Sequence, residues 1–200
     1  MKTVTLKAIR KHEPCVESWE ILLSSLDKTK ADDTKVSLKY ILDLLGLDDA
    51  LWALRALPES QDSSVRLLVC DLVEPAMKYS DDPRPAEAIR VAREYARGNA
   101  TSDSLEAAGS AARAAARVAA GSTALPAAGS AAWAAAESAA RAAVGSAVGS
   151  AARAAALAAA GSAAWSVAGS VAGSATWAMA EDVARKDQER IFRDWLRGDS

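Results

Sequence analysis

His12 is the single histidine of this chain, and Cys15 and Cys70 are its two cysteines. A zinc site takes three or four protein ligands, and one His, one nearby Cys and one distant Cys do not supply them. With a single imidazole, acid–base work would fall to carboxylates or lysines. The adjacent pair Asp48-Asp49 has the right composition for it. Helix capping and a first-turn acid beside the positive helix end explain the same two residues without catalysis. Asp32-Asp33 and Asp81-Asp82 read likewise as turn or cap residues. No Gly-rich phosphate loop, nucleophile elbow or dinucleotide fingerprint occurs in the chain. The expectation is a protein with no catalytic residue, no cofactor and no metal.

Recognition is the chemistry that remains. Trp133, Trp165 and Trp177 share one register with Arg113, Arg117, Arg141 and Arg153, and Trp and Arg are the types that anchor protein interfaces. These seven are the candidate partner-binding residues. The competing reading is that the tryptophans plug spaces that alanine cannot fill, since a small-residue core needs a few large side chains to reach native density, while the arginines are solvated.

The element that carries them is alanine-rich and periodic. Between residues 105 and 180 the glycines stand at 109, 121, 129, 145, 149, 161, 169 and 173, always a multiple of four apart. Leu125, Leu157, Glu137, Glu181 and Arg185 keep the same register. Each tetrad has one variable residue, then Ser or Ala, then two small apolar residues. Alanine is the best helix former, so the tract reads as helix. A helix turns about 100° per residue, so the variable position drifts by about 40° per tetrad. One long helix would therefore not hold a single alanine seam. Helices of about 15–20 residues folded back on each other are expected, with breaks at 121–126, where Pro126 denies Leu125 the helical region, and at 145–150. Asp103 with Glu106 reads as the capping box that opens the first helix.

The first half reads as short amphipathic helices. Glu13-Pro14 opens one whose stripe is Cys15, Trp19, Leu22, Leu23 and Leu26. Ser37 caps the next, with Leu38, Ile41, Leu42 and Leu45 inward and Gly46 as its left-handed stop. A β alternative spans Val36 to Ile41. Asp48 is expected to cap a helix over 50–57, ended by Pro58. Ser63 or Ser64 starts another, built on Val65, Leu68, Val69, Leu72, Val73 and Ala76, with Pro75 as a possible kink. Asp82-Pro83-Arg84-Pro85 reads as a rigid turn before a helix over 86–97 that Gly98-Asn99 ends. Met179 to Leu196 is charged and amphipathic, and Val183, Ile191, Trp195 and Leu196 are expected to cover one end of the alanine stack.

The fold class expected is all-α: a multi-helix bundle with an Ala/Gly/Ser-rich tetrad-repeat half. Its regions are 1–100, short amphipathic helices, and 101–200, alanine-rich hairpins with a charged C-terminal helix. The net charge is −2, and no segment is basic enough to suggest nucleic acid as a partner or acidic enough to mimic it. The start MKTVTLKAIRKHEP has no apolar leader, and two cysteines then read as buried, reduced thiols of a cytoplasmic protein. Residues 154–180 carry no charge and contain Gly169-xxx-Gly173; Gly145-xxx-Gly149 lies earlier in the tract. Alanine, glycine and serine give little drive into lipid, so membrane insertion is not expected.

Gly46-Leu47-Asp48-Asp49-Ala50-Leu51-Trp52-Ala53-Leu54-Arg55-Ala56-Leu57, Val65-Arg66-Leu67-Leu68-Val69-Cys70-Asp71, Pro85-Ala86-Glu87-Ala88-Ile89-Arg90-Val91-Ala92-Arg93 and the alanine tetrads together resemble the alanine-rich immunity-protein family of bacteria and phages. The likeness runs over residues 40–200, although this tract is denser in Gly-Ser than the family's commoner Arg/Trp-rich form. The resemblance implies an all-helical, non-enzymatic protein that neutralises a toxin; it carries no binding residues over. The function expected is binding and inhibition of another protein. The partner would be a toxin, or a host-defence complex such as a CRISPR nuclease disabled by a phage product. Two other classes stay open: an assembly protein that joins copies of itself into a homo-oligomer through Ala/Gly faces, and a membrane-active helical protein.

Overall fold

The structure, a computed structural model, describes residues 2–79, 82–121 and 174–198. Helix makes up 75% of them, beside one two-stranded sheet, so the chain is all-α in class.

The chain opens with strand β1 (Thr3–Thr5), which runs straight into helix α1 (Leu6–Arg10). Strand β2 (Lys35–Ser37) pairs antiparallel with it, Val4 opposite Val36, and runs straight into α3 (Leu38–Leu45). Each strand ends in the cap of its helix. Thr5 Oγ1 accepts from Ala8 N at 3.1 Å and Ser37 Oγ accepts from Tyr40 N at 3.0 Å, which satisfies N–H groups that have no partner inside a first turn. Val4 and Val36 point into the core, 3% exposed each. The β alternative at Val36 thus holds for one turn's length and then gives way to the helix that Ser37 caps.

Between the strands lies α2 (Val16–Ser25). Its cap is Cys15, whose Sγ accepts from Ser18 N at 3.4 Å. This corrects the buried thiol expected there: Cys15 is exposed, while Cys70 is buried as expected. The helix ends with Asp27 in the left-handed region (φ 53°). Lys28 N reaches back to Leu23 O at 2.9 Å and Asp27 N to Ser24 O at 3.1 Å, the paired bonds of a left-handed helix stop. Aspartate tolerates this conformation better than most side chains.

Gly46 (φ 92°, ψ −178°) closes α3 and opens α4 (Leu47–Ala53), with no side-chain cap. Asp48 and Asp49 lie in the first turn of α4, so the expected cap at Asp48 and the 50–57 boundaries are corrected. The chain continues through 3-10 turns to α5 (Asp62–Val73), starting slightly before Ser63, and Pro75 falls in a 3-10 segment (Glu74–Tyr79) rather than a kinked helix. Pro83 is the first residue of α6 (Pro83–Ala96) and Asp82 caps it. The expected rigid turn is therefore a helix start, since proline lacks the N–H that a first turn leaves unpaired. Gly98 (φ 80°) ends α6 as expected, with Asn99 N on Glu94 O at 2.8 Å.

Helix α7 (Ser102–Gly121) enters the alanine tract and packs along α6. Its cap is Thr101, whose Oγ1 accepts from Ser104 N at 3.2 Å. The capping residue is thus two positions before the expected Asp103, which is exposed. Over residues 102–115 the buried positions are Leu105, Gly109, Ala112 and Ala115. The first two are variable tetrad positions and the next two are not, which is the drift that a four-residue repeat must suffer on a 3.6-residue helix. The expected breaks at 121–126 and 145–150 fall outside the described residues, apart from Gly121 itself.

Helix α8 (Ser174–Arg197) closes the described fold and packs on α5 and α3. Phe192 and Trp195 are in the same buried cluster as Val4, Leu38, Leu51 and Leu68. Ile191 and Leu196 pack against that cluster and Val183 is 58% exposed. Among the described residues, then, the C-terminal helix covers the N-terminal helices.

Candidate protein-binding surface

The concave features of the described residues include three. The first is an apolar cleft walled by Trp19, Leu22, Ile41, Leu45 and Trp52, with a cavity volume of about 20 Å³. That admits one water molecule, far below the several hundred Å³ of a small-molecule site. Arg10 lies over the Trp19 ring at 5.9 Å and Arg55 over Trp52 at 5.5 Å.

The second, about 340 Å³, runs along α6 between Glu74, Met77, Arg90, Arg93 and Arg97. Its arginines are already engaged. Arg93 donates to both Glu74 oxygens at 2.8 Å and to Asp71 at 2.6 Å, Arg90 grips Glu87 and Arg97 reaches Glu94 at 3.0 Å. The hydrogen bonds from Arg93 hold the Glu74 carboxyl below its ordinary range, against a smaller opposing effect of burial. A groove whose cations are neutralised by their own neighbours offers little to an anion. The third, about 360 Å³, lies on α8 among Lys186, Glu189, Arg190, Arg193 and Asp194, and is again lined by opposite charges in register.

Two cross-helix ion pairs tie α8 down. Arg193 Nη1 meets Asp43 Oδ1 of α3 at 2.8 Å, and Arg185 Nη1 stands 3.0 Å from Asp48 Oδ1 of α4. The second is off line for a hydrogen bond, so it is a coulombic contact. Asp48, read from sequence as a cap or half of a carboxylate pair, is an anchor for the C-terminal helix. His12 sits half-buried in the turn between α1 and α2. No group of three or more His, Cys, Asp or Glu fit to hold a metal occurs among the described residues.

The face with the character of an interface is formed by α2 and α3. Of five large apolar side chains exposed among the described residues, four are here: Val16 (69%), Ile21 (44%), Tyr40 (36%) and Leu44 (37%). Tyr40 Oη donates to Ser25 O at 3.2 Å, which lays the ring across the end of α2. Tyr40 near the start of α3 thus meets the last residue of α2, while Leu45 at the end of α3 shares the cleft with Pro14 and Ser18 at the start of α2, so the helices run antiparallel. Leu44 is one turn after Tyr40 and Ile21 one turn before Ser25, which puts the two at one level. Apolar groups gathered on one surface mark interaction sites, whereas scattered ones need no explanation.

Of the seven residues expected to bind a partner, three fall on described elements, and those elements are α7 and α8. Arg113 is on α7, half-buried, its Nη2 donating to Ser110 Oγ at 2.9 Å one turn back. Arg117 is on α7 and Trp177 on α8. Trp133, Trp165, Arg141 and Arg153 lie outside the described residues. Reading the stripes alone missed Val16, Ile21, Tyr40 and Leu44. The signal was present: each is an apolar residue off the buried stripe of its own helix.

Compared with protein-family models, with curated proteins and with solved structures, the chain gives no match. No helix among the described residues is long and apolar enough to cross a membrane.

Proposed function

We propose that this chain is a non-catalytic cytoplasmic protein that binds another protein and blocks its action. The observation that carries the reading is the exposed apolar group Ile21, Tyr40 and Leu44 where α2 meets α3, with Val16 exposed at the far edge of α2, on two helices that are otherwise well packed. The rigid frame beneath it, with both strands capped into helices and α8 seated in the core, presents that face with little ordering to be done on binding. The family resemblance supplies the kind of partner: a toxin, or a host-defence complex that a phage product disables. Self-association through Ala/Gly faces is the second reading; over residues 105–115 the small-residue face of α7 is turned onto α6.

The test is affinity capture from the native host with the wild-type chain and with the double variant Ile21→Asp/Leu44→Asp, both first matched for helix content. The reading expects a retained protein whose own activity falls when the wild-type chain is added. Its recovery should drop at least about tenfold with the variant, the scale of losing one to two kcal/mol of buried apolar contact. Equal recovery by both chains refutes it.

A further inference from the structure

We propose that the α2–α3 face takes a basic amphipathic helix of a partner protein, with apolar anchors flanked by lysine or arginine. This rests on the reading of that face as the binding surface and adds the partner's charge and shape.

The argument begins with a run of sequence. Residues 13–27 contain Glu13, Glu17, Glu20 and Asp27 and no Lys or Arg, in a chain whose total net charge is only −2. All four are exposed. Among the described residues none of the four is ion-paired. Many acids elsewhere are paired: Asp32 with Lys28, Asp43 with Arg193, Asp71 and Glu74 with Arg93, Glu87 with Arg90. Asp49, Glu59, Asp103 and Glu106 are exposed or half-buried outside any ion pair too, but they are spread over three elements, whereas these four stand within residues 13–27 with no Lys or Arg among them.

Geometry places the bare acids among the exposed apolar residues. At about 100° per residue, Val16, Glu20, Ser24, Glu17 and Ile21 follow one another across roughly 140° of the α2 surface. Trp19, Leu22 and Leu23 fill the remaining arc and are buried. Beyond Ile21 the surface continues onto Leu44 and Tyr40 of α3. Glu17 and Glu20 therefore lie between Val16 on one side and the apolar group Ile21, Leu44 and Tyr40 on the other.

That arrangement selects the occupant. A bare apolar strip would accept any apolar surface, but burying Val16 and Ile21 brings Glu17 and Glu20 into the same interface. An uncompensated carboxylate there carries a desolvation penalty. A nucleic acid or an anionic membrane is repelled by the same four charges. A cationic partner surface satisfies them, and steers its own approach. Helix α2 is ten residues long, about 15 Å, which suits a partner helix of two to three turns that presents anchors at three- and four-residue spacing.

The experiment uses the isotope-labelled full chain and two synthetic helical peptides identical except that one carries Lys, the other Glu, beside its leucines. The expected result is that the Lys peptide shifts amide resonances of α2 and α3, and that its binding weakens as salt is raised. It should bind about tenfold more weakly to Glu17→Lys/Glu20→Lys, by loss of complementary rim charges. The Glu peptide should bind the wild type at least tenfold more weakly than the Lys peptide. Equal binding of the two peptides at α2–α3, binding of the Lys peptide elsewhere, or no binding of it at all overturns the proposal. Capture with Ile21→Asp/Leu44→Asp separates the two ideas. If that variant still loses the host protein while the peptides bind alike, the face stands as the interface and its assigned charge preference falls.

Discussion

Trp195 is the point at which the C-terminal helix is fastened, and its replacement has the largest effect expected of any side chain in α8. The indole is 2% exposed. Its Nε1 donates to Ser64 Oγ at 2.9 Å and to Ser64 O at 3.2 Å, at the start of α5. The Lys2 ammonium stands 4.0 Å over the ring and also donates to the Trp195 carbonyl at 2.8 Å. The Phe192 ring packs at 5.6 Å. Trp195→Ala removes all of these side-chain contacts and leaves a cavity in a core that includes Leu38 and Leu68, a change of about 3–5 kcal/mol. Trp195→Phe keeps most of the ring but deletes the N–H donor, about 1 kcal/mol. It also weakens the cation–π contact by a fraction of the ~0.5–2 kcal/mol such contacts contribute; a total near 2 kcal/mol follows. Denaturant unfolding followed by far-ultraviolet circular dichroism measures both. A cycle with Lys2→Met should return a coupling of about 0.5–1 kcal/mol between the first strand and the last helix. A loss below about 1 kcal/mol for Trp195→Ala would mean that α8 does not seat in the N-terminal core, and the description of the fold would be wrong at its closing step.

Three further outcomes are expected. Thr101→Ala should destabilise by about 1 kcal/mol, and Asp103→Ala by no more than a few tenths, because Thr101 makes the cap hydrogen bond of α7; thermal or denaturant melts of the two variants decide it, and the reverse order would restore Asp103 as the cap. Glu74 is held below the ordinary glutamate range by Arg93, so its contribution to stability is present above about pH 4.3 and is lost as pH falls through its depressed folded-state pKa. Glu74→Gln should therefore flatten the acid limb of a pH–stability curve, by less than about 1 kcal/mol since the carboxylate is half-exposed. The Cys70 thiol is pushed up to about 12, chiefly by burial, while Cys15 is exposed. A thiol reagent at neutral pH should titrate one cysteine in the native chain and two in denaturant.

Most helices were legible as periodicity. Val65, Leu68, Val69, Leu72 and Val73 repeat at three and four, and all five are buried in α5. Ser37 and Gly98 punctuate where their chemistry says they should, since a hydroxyl acceptor and a residue tolerant of positive φ are local requirements. What was not legible is short or non-local. Strands β1 and β2 are three residues each, too short for alternation to register, and they exist because they pair with each other across thirty residues of chain. Phe192 stands among the charges of α8, yet it is fully buried.

Local side-chain chemistry determined, from the sequence alone, that this chain is helical, where several helices begin and end, and that a four-residue repeat must rotate its variable position around α7. Leu105 and Gly109 facing inward, then Ala112 and Ala115, realise that rotation. Only the tertiary structure decided which helix covers which. Amphipathic stripes state that a face must be buried but not against what, because hydrophobic burial is non-directional. So α8 could be read as a cover for the alanine stack; among the described residues it packs on α3 and α5, held by Trp195 and Arg193, with Arg185 beside Asp48 of α4. The same holds for the α2–α3 face. Ile21, Tyr40 and Leu44 are apolar residues off their stripes in the sequence, and only the packing of α2 on α3 brings them side by side.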